Sequence, residues 1–252
     1  KSMKISAIVI ARNEEARIVK CLSSLAWVDE IVVVDNGSID NTREIAKQHG
    51  ATVTPAGDVR DFAKLRNLGS EKAKSEWLLY VDADETVTEE LRKEIQELDS
   101  PPQAGNDRIM DGYEIRRKNY YLGHEWPGDE HILRLMRKDA LIKWYGELHE
   151  TARVKGEIGR LDNPILHDTH RTLEEMVRKT NQWSDTEAKL RFDAHHPPVF
   201  WWRLLRVMAT GFWNSFIIQG GWKAGTVGWI ESIYQAFSMF ITYAKLWERQ
   251  QR

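Results

Sequence analysis

The sequence predicts an α/β fold, with a mostly parallel sheet flanked by helices and a C-terminal amphipathic helical extension. Across about the first 90 residues, short apolar segments alternate with segments of helical periodicity, which is typical of right-handed βαβ units. Acidic or amide residues directly follow three of the predicted strands. The last 55 residues differ, because they contain six of the 11 tryptophans and two strongly apolar helical segments.

Composition narrows the class of protein. A chain of 252 residues suits one α/β domain of ordinary size with an appendage. Its formal net charge of −2 predicts no nucleic-acid partner. The charge is uneven, because residues 196–252 hold six Lys and Arg against two Asp and Glu. The single cysteine, Cys21, excludes an internal disulfide and falls at an apolar helix position, where we expect it only to pack.

The predicted strands of the first half are short and rich in Ile and Val, and a helix follows each of them. The first strand ends in Arg12-Asn13-Glu14, and the second ends in Asp35-Asn36. Asn13 could simply cap its helix. The expected strands and the last helix of this part cover residues 4–11, 30–34, about 51–54 and about 62–74.

The most apolar strand delivers two carboxylates. Residues 77–81 are all apolar, which suits a central strand buried on both faces, and Asp82 and Asp84 follow at its end. Alternate residues of an extended segment point to the same side, so both acids can face one ligand. Carboxylates are hard oxygen ligands suited to Mg²⁺ or Mn²⁺ carrying phosphates. The alternative is that both acids only cap the helix that begins near Thr88.

All three polar strand ends should meet at one edge of the sheet, where open α/β sheets bind their ligands. Any one of them could be only a helix cap, but three together indicate a polar ligand. The sequence has no Gly-x-Gly-x-x-Gly after the first strand and no Gly-Lys-Ser/Thr loop. These absences argue against a dehydrogenase and against a P-loop nucleotidase.

The strand ends belong to three ordered motifs: Val9-Ile10-Ala11-Arg12-Asn13-Glu14, Val34-Asp35-Asn36-Gly37-Ser38-Ile39-Asp40-Asn41-Thr42 and Asp82-Ala83-Asp84. Together they resemble family 2 glycosyltransferases, which have the Rossmann-like GT-A fold. The resemblance covers about the first 90 residues. It implies an inverting, metal-dependent enzyme that uses a nucleotide-sugar donor, usually a UDP-sugar. Asn36 departs from the commoner Asp-Asp-Gly-Ser form of the second motif.

The resemblance also implies roles for the strand-end residues toward the nucleotide. Asn13 and Glu14 would border the uridine, and Asp35 would accept a hydrogen bond from the base. Asp84 would ligate the Mg²⁺ or Mn²⁺ that bridges the diphosphate. Asp82 would contact the ribose or the same metal.

More than one role is possible for Arg66 and for His167. Arg66 precedes the acidic strand on a predicted helix, and it could hold the diphosphate, orient the acids, or form a mere surface ion pair. His167 stands where enzymes of this fold often bring a third metal ligand or a diphosphate contact. A structural histidine is the alternative for His167.

The acceptor half of the enzyme is expected after residue 100. We predict strands at residues 113–117 and 132–137, with residues 123–129 between them, where Trp126 would stack on a sugar or pack in the core. The Gly146-x-x-His149-Glu150 pattern resembles the lipopolysaccharide-core β-1,4-glucosyltransferase branch, which makes Glu150 the general base. Asp129 is the rival base, and His149 could position the acceptor.

The C-terminal region predicts two helices, over residues 200–218 and about 227–247, each with one narrow polar stripe. The longest uncharged run, residues 207–222, is short for a membrane span. Wide apolar faces with scattered Lys and Arg favour a pair of helices lying in the membrane interface. The alternative is a hairpin that packs on the catalytic domain or on a partner chain.

These expectations divide the chain into a nucleotide-sugar-binding half (1–99), an acceptor-binding half (100–195) and a membrane-associating hairpin (196–252). The predicted function is transfer of a hexose from a UDP-sugar to a lipid-linked saccharide such as the lipopolysaccharide inner core, and glucose is the leading prediction for the hexose. The enzyme would lie peripherally on the cytoplasmic face of the inner membrane, as a monomer or a homo-oligomer. Transfer to a polyprenyl phosphate, and a non-catalytic membrane-docked nucleotide-sugar-binding subunit, are the alternatives.

Overall fold

The computed structural model describes residues 3–59, 61–98, 110–146, 150–170 and 172–252. The chain forms two compact units. The first comprises Lys1–Lys118 and Glu130–His167, and the second comprises Asn119–Asp129 and Asp168–Arg252. Both predicted halves of the catalytic domain contribute to the first unit.

The described residues contain ten strands, which lie in two sheets. The strands are β1 (Ile5–Ala11), β2 (Glu30–Asp35), β3 (Thr52–Pro55), β4 (Trp77–Asp82), β5 (Glu85–Val87), β6 (Gly112–Tyr121), β7 (His124–Arg137), β8 (Leu141–Tyr145), β9 (Thr151–Val154) and β10 (Ile158–His170). Eight of them form one sheet in the order β3-β2-β1-β4-β7-β6-β10-β5, and β8 pairs with β9.

Seven α-helices are described: α1 (Ile18–Ser24), α2 (Thr42–Gln48), α3 (Phe62–Lys72), α4 (Glu89–Glu97), α5 (Leu173–Asp193), α6 (Trp201–Trp213) and α7 (Gly225–Gln250). A π-helical segment (Asn214–Ile218) and a 3₁₀ turn (Gly221–Ala224) connect α6 to α7.

The parallel half of the sheet is built around β1, as the strand–helix alternation predicts. β1 pairs in parallel with both β2 and β4, and Ile8 lies opposite Val32 on one side and Tyr80 on the other. Every residue of β1 is buried, because helices cover both faces of the strand. The predicted α/β fold class is therefore confirmed.

Alternate residues of β1 contribute to two separate cores. Ile8 and Ile10 pack with Leu65 of α3 in one cluster, whereas Val9 packs with Leu22 of α1 in the other. Cys21 is buried beside Leu22, in agreement with the packing role predicted for it.

In the antiparallel half of the sheet, strands from later in the sequence continue the sheet beyond β4. β7 pairs antiparallel with β4, and Leu135 lies opposite Leu79. β5 pairs antiparallel with β10, which places His167 opposite Glu85. Residues far apart in sequence thereby reach the strand end that carries Asp82.

Of residues 123–129, predicted as a connection between strands, residues 124–129 are instead part of β7. β6 and β7 continue into a tight hairpin whose turn residues, Leu122 and Gly123, have φ of 51° and 78°. Two successive positive φ values fit the primed turns that match strand twist. Trp126 is only 4 % exposed and packs on Tyr121, with ring centroids 5.0 Å apart. The core-packing alternative for Trp126 is correct.

The second unit consists mainly of α5, α6 and α7. Thr172 caps α5 by accepting a hydrogen bond from the backbone N–H of Glu175 at 3.1 Å. α5 lies along α7 through Tyr234, whose hydroxyl donates to Thr180 at 2.7 Å, and through an ion pair between Arg249 and Asp185 at 2.8 Å. In the described part of the chain, no helix combines the length and apolarity needed to cross a membrane.

Candidate active site

The loops that follow β1 and β2 interlock through the residues of the first two motifs. Asn13 adopts a left-handed backbone (φ 55°), which Asn tolerates better than most residues. Its backbone N–H donates to the Ser38 hydroxyl at 3.0 Å, and its side-chain oxygen accepts from the N–H of Ile39 at 2.8 Å. The N–H of Glu14 donates to the Thr42 hydroxyl at 2.8 Å. Asn13 and Glu14 thus fix the relative position of two strand ends.

Asp35 lies at the end of β2 and is buried. It accepts a hydrogen bond from the N–H of Ser38 at 3.2 Å, and its second oxygen lies 3.5 Å from the guanidinium of Arg43. These contacts hold Asp35 at the sheet edge where the uracil of the donor is expected to bind. The hydrogen bond from uracil to Asp35 stays a prediction.

Asn36, the departure from the family pattern, has a clear local purpose. Its side-chain amide donates to the carbonyl of Val59 at 2.8 Å and accepts from the N–H of Val59 at 2.7 Å. An amide side chain supplies both the donor and the acceptor for these bonds, whereas an ionised carboxylate has no donor. Asn36 therefore fastens the segment after β3 to the end of β2.

We expect Asn36→Asp to destabilise the chain by about 1–3 kcal/mol, because the buried carboxylate would face the Val59 carbonyl without a donor. Urea unfolding followed by circular dichroism measures this free energy. Gln48→Glu makes the same amide-to-acid change at an exposed position of α2 and should cost little. Equal effects of the two substitutions would contradict the role of Asn36 as a clamp.

Asp82 is held by two arginines. One carboxylate oxygen lies 2.9 Å from Arg66 and the other lies 2.7 Å from Arg134. Burial raises the pKa of Asp82, but the charges of Arg134 and Arg66 outweigh that effect and hold the pKa well below its usual range. Asp82 is therefore ionised, and both of its oxygens are engaged by guanidinium groups.

Arg66 is 2 % exposed, so the prediction of a mere surface ion pair is wrong for it. Its Nε and Nη2 both donate to one oxygen of Glu150, at 2.9 and 2.7 Å. Its guanidinium lies 5.0 Å from the Trp144 ring and 5.9 Å from the Tyr80 ring. These aromatic faces fix the guanidinium while it orients both Asp82 and Glu150.

Three charged residues of this cluster were not predicted. Glu85 is fully buried, accepts from the N–H of Asp82 at 2.8 Å and lies 3.4 Å from Arg117. Arg134 interrupts an apolar stretch of β7, between Leu133 and Leu135. A charge inside an apolar strand is a signal of a buried ionic partner, and it could have identified Arg134.

Asp84, two residues after Asp82, lies beside His167 of β10. The His167 Nε2 lies 3.5 Å from one Asp84 oxygen, and Arg17 lies 3.7 Å from the other. Burial lowers the pKa of His167, but hydrogen bonding to Asp84 and its charge outweigh burial and raise it. Asp84 is therefore the acidic residue of the third motif that lies beside an imidazole.

A metal at this pair would need ligands in addition to the described side chains. Among the described residues, no three His, Cys, Asp or Glu side chains are grouped closely enough to hold an ion. Two ligands of an octahedral ion with bonds of about 2.0–2.1 Å lie about 3 Å apart. The 3.5 Å separation of Asp84 and His167 fits that requirement with a small adjustment. Phosphate and water oxygens would complete the set.

The two candidate bases have different surroundings. The Glu150 side chain is 15 % exposed and lies in the cluster with Arg66. Asp129 is exposed, and it belongs to the hairpin segment of the second unit. His149, with the other residues 147–149 of the motif, lies outside the described residues.

Comparison with known proteins identifies the family. Residues 6–154 match the model of glycosyl transferase family 2. A lipopolysaccharide core biosynthesis glycosyltransferase, LpsC of Rhizobium meliloti, is 28 % identical over 257 residues, which cover 98 % of this chain and 93 % of LpsC. A glycosyltransferase of Rickettsia typhi is also 28 % identical, over 97 % of this chain and 87 % of its own.

The fold has solved counterparts. The crystal structure of S. aureus TarS in complex with UDP-GlcNAc has a TM-score of 0.50 and 16 % identity, and the match covers 99 % of this chain and 93 % of that one. The similarity shows the GT-A fold. The family match runs from β1 to β9 and includes all three motifs at the sheet edge. The chain is a glycosyltransferase, and it belongs to glycosyltransferase family 2.

Proposed function

We propose that this glycosyltransferase moves a hexose, glucose in the first instance, from a UDP-sugar to a hydroxyl of a lipid-linked saccharide such as the lipopolysaccharide inner core. The observation that best supports the proposal is the pairing of Glu150 with Arg66, which also holds Asp82 at the end of β4. A candidate general base is thereby fixed beside the acids of the donor motif. The relationship to LpsC supports the choice of acceptor.

Glu150 is suited to accept the proton of an attacking hydroxyl. Both hydrogen bonds from Arg66 go to Oε1 of Glu150, so Arg66 orients the carboxylate without covering Oε2. A base in this position lets the acceptor oxygen attack the anomeric carbon as the proton leaves, which is the single displacement of an inverting enzyme. A polyprenyl phosphate acceptor is already ionised and would not require such a base.

Asp84 and His167 are the residues that would hold Mg²⁺ or Mn²⁺. A bound ion of this kind neutralises the diphosphate as it departs from the sugar, acting as a Lewis acid. The cluster around Asp82 is already balanced, since Arg66 and Arg134 offset Asp82 and Glu150. The negative diphosphate therefore needs a cation of its own, and we assign it to Asp84 rather than to Asp82.

A panel of nucleotide-sugars tests the donor. Ligands that bind only the folded state raise the unfolding temperature, so we expect UDP and UDP-glucose to raise it in the presence of Mn²⁺ and much less without it. GDP- and CMP-sugars should have little effect. Stabilisation by another nucleotide class in place of uridine would contradict the proposed donor.

We expect Asp84→Asn to weaken Mn²⁺-dependent UDP binding by more than about 10-fold, because even outer-shell changes at metal sites cost roughly 10–100-fold. Calorimetry with and without Mn²⁺ measures the effect. Asp58→Asn removes an exposed carboxylate, paired with Arg12, and serves as the control. UDP affinity that is the same in Asp84→Asn and the parent chain would remove Asp84 from the site.

A further inference from the structure

The second unit exposes a large aromatic surface. Several large apolar side chains on and between α6 and α7 are more than half exposed, and six of them are between 52 % and 74 % exposed and include four tryptophans. We call this set the aromatic face: Trp201, Leu205, Trp213, Trp222, Trp229 and Ile233. Monomeric soluble proteins rarely expose contiguous apolar patches of this kind unless the patch binds something.

The members of the aromatic face are arranged in stripes. Trp201, Leu205 and Trp213 are separated by multiples of four along α6 and its end, and Trp229 and Ile233 are four apart on α7. Residues with this spacing lie on one side of a helix. The Trp229 ring lies 4.4 Å from the Phe216 ring, so the stripe of α7 joins the aromatic side chains that follow α6.

The interior of the helical unit combines an apolar cluster, which includes Val207 and Leu246, with several buried polar side chains. Glu231, Ser232 and Thr242 of α7 are buried, and the Ser232 hydroxyl lies 3.1 Å from the hydroxyl of the buried Ser215. Two members of the polar stripe predicted for α7, Glu231 and Thr242, therefore face inward, whereas Trp229 and Ile233 on the same helix are exposed. Exposed large apolar side chains beside buried polar ones indicate a surface that is removed from water in the functional state.

The exposed charges in the segment that carries the aromatic face are positive. Residues 200–233 contain the cations Arg203, Arg206 and Lys223 and one acid, Glu231, which is buried. The guanidinium groups of Arg203 and Arg206 each lie 5.7 Å from the Trp202 ring, and the Lys223 ammonium lies 5.3 Å from the Trp222 ring. Long cationic side chains over indole rings suit a boundary between apolar chains and negative headgroups.

The charges disfavour a second copy of this chain as the occupant. A two-fold interface pairs the same surface patch with itself, so the exposed cations of one copy would meet those of the other, and the acid of this segment, Glu231, is buried. A spanning arrangement is unsupported as well, since no described helix is long and apolar enough to cross a membrane. Helices of this design lie in the plane of the interface.

We propose that the aromatic face binds the headgroup and upper acyl region of an anionic phospholipid bilayer, with α6 and α7 lying on the membrane. The proposal extends the proposed function, since a lipid-linked acceptor is found at such a surface. All of the residues on which the proposal rests belong to the second unit. Arg203, Arg206 and Lys223 would contact the headgroups, and the tryptophans would enter the layer below them.

Vesicle binding tests the proposal with the full chain. The parent should co-sediment with vesicles of phosphatidylcholine and phosphatidylglycerol, and binding should weaken but persist as salt rises, because salt screens only the electrostatic part. Trp201→Ser with Trp213→Ser should lower the partition coefficient at least about 10-fold, since binding scales with buried apolar area. Trp183→Ser, at a tryptophan 54 % exposed on α5, is the matched control and should bind like the parent.

The contribution of charge is measured separately. Arg203→Gln and Arg206→Gln should each weaken binding about fivefold at low salt and have a smaller effect at high salt. Vesicles of phosphatidylcholine alone should bind more weakly than the anionic vesicles. A salt-independent affinity, or equal affinity for both vesicles, would overturn the assignment of the cations to headgroups.

Depth of insertion distinguishes a bilayer from a protein partner. Vesicles with brominated acyl chains should quench the parent's tryptophan fluorescence, and Trp201→Phe with Trp213→Phe should bind normally but be quenched less. A parent that ignores anionic vesicles at low salt would overturn the proposal. The same conclusion would follow from an oligomer that the paired serine substitutions, but not Trp183→Ser, convert to monomer.

UDP calorimetry on the same variants separates this inference from the proposed function. The serine substitutions should leave Mn²⁺-dependent UDP affinity unchanged, because none of them lies in the first unit. Lost vesicle binding with intact UDP binding identifies a membrane surface. Intact vesicle binding by a chain that never binds UDP would reject the proposed donor and leave the aromatic face as assigned.

Discussion

Glu150→Gln should lower turnover of a UDP-sugar by about 10²–10⁴-fold, the usual contribution of a positioned general base. Glutamine keeps the size of the side chain and can still accept the hydrogen bonds from Arg66, but it does not take up a proton at neutral pH. Donor binding should stay close to that of the parent, because Glu150 acts on the acceptor. The expected loss is therefore in kcat rather than in the affinity for UDP.

Initial rates with a saturating UDP-sugar and UDP calorimetry measure the two effects separately. Glu157→Gln changes an exposed glutamate of the first unit and is the control. If Glu150→Gln retains most of the activity, the base is Asp129 or the acceptor is already ionised. A loss of donor binding equal to the loss of turnover would instead make Glu150 part of the donor site.

Arg66→Leu should have the largest effect on stability, up to about 3–5 kcal/mol, because it removes a buried guanidinium that pairs with two partly buried carboxylates, Asp82 and Glu150. Turnover should also fall, since Arg66 positions Glu150. Arg66→Lys keeps the charge but lacks the planar fork that bonds two acids at once, so it should recover stability better than activity. Urea unfolding and initial rates measure the two quantities.

The double variant Arg66→Leu with Glu150→Leu provides the matched comparison. If the cost of Arg66→Leu comes from a stranded charge, removing Glu150 as well should restore part of the stability. Additive losses from the two substitutions would mean that Arg66 acts through packing on Trp144 and Tyr80 rather than through its charge.

The pH dependence of stability in acid should reveal the ion pairs of Asp82 with Arg66 and Arg134. The pKa of Asp82 is lowered in the folded state, so Asp82 stabilises the fold above its unfolded pKa of about 3.9, and this contribution is lost as pH falls through the lower folded value. Arg66→Leu raises the folded pKa toward the unfolded one. The stability of Arg66→Leu should therefore depend less on Asp82 ionisation across that range, in addition to its constant loss. Arg252→Leu, which breaks an exposed pair with Glu248, is the control and should keep the parent's profile.

The first half of the fold could be predicted because its signals are local. Apolar runs and helix periodicity place β1, β2 and β4 within one or two residues of their observed bounds. The hairpin at Leu122-Gly123 could not be predicted in the same way. Its turn depends on a positive φ at a leucine, which has no compositional signal, and on packing of Trp126.

The same distinction between local signals and long-range contacts applies to the candidate site. Asp82, Asp84 and Asp35 are recognised by their positions at strand ends and by the family motifs. Glu85 and Arg134 escape such reasoning, because their importance comes from pairing across antiparallel strands that are distant in sequence. The C-terminal helices show a similar limit of local patterns, since spacing identifies a polar stripe and only tertiary packing decides which way it faces.

The most direct test of the central claim is the transfer reaction itself. The purified chain is incubated with radiolabelled UDP-glucose, Mn²⁺ and lipopolysaccharide core acceptor, and the product is characterised by lipid extraction and by the anomeric configuration of the added sugar. We expect label on a saccharide hydroxyl, with configuration opposite to that in the donor, and no label with Asp84→Asn. Label on a polyprenyl phosphate, a retained configuration, or UDP-sugar binding without transfer to any lipid-linked saccharide would contradict the account.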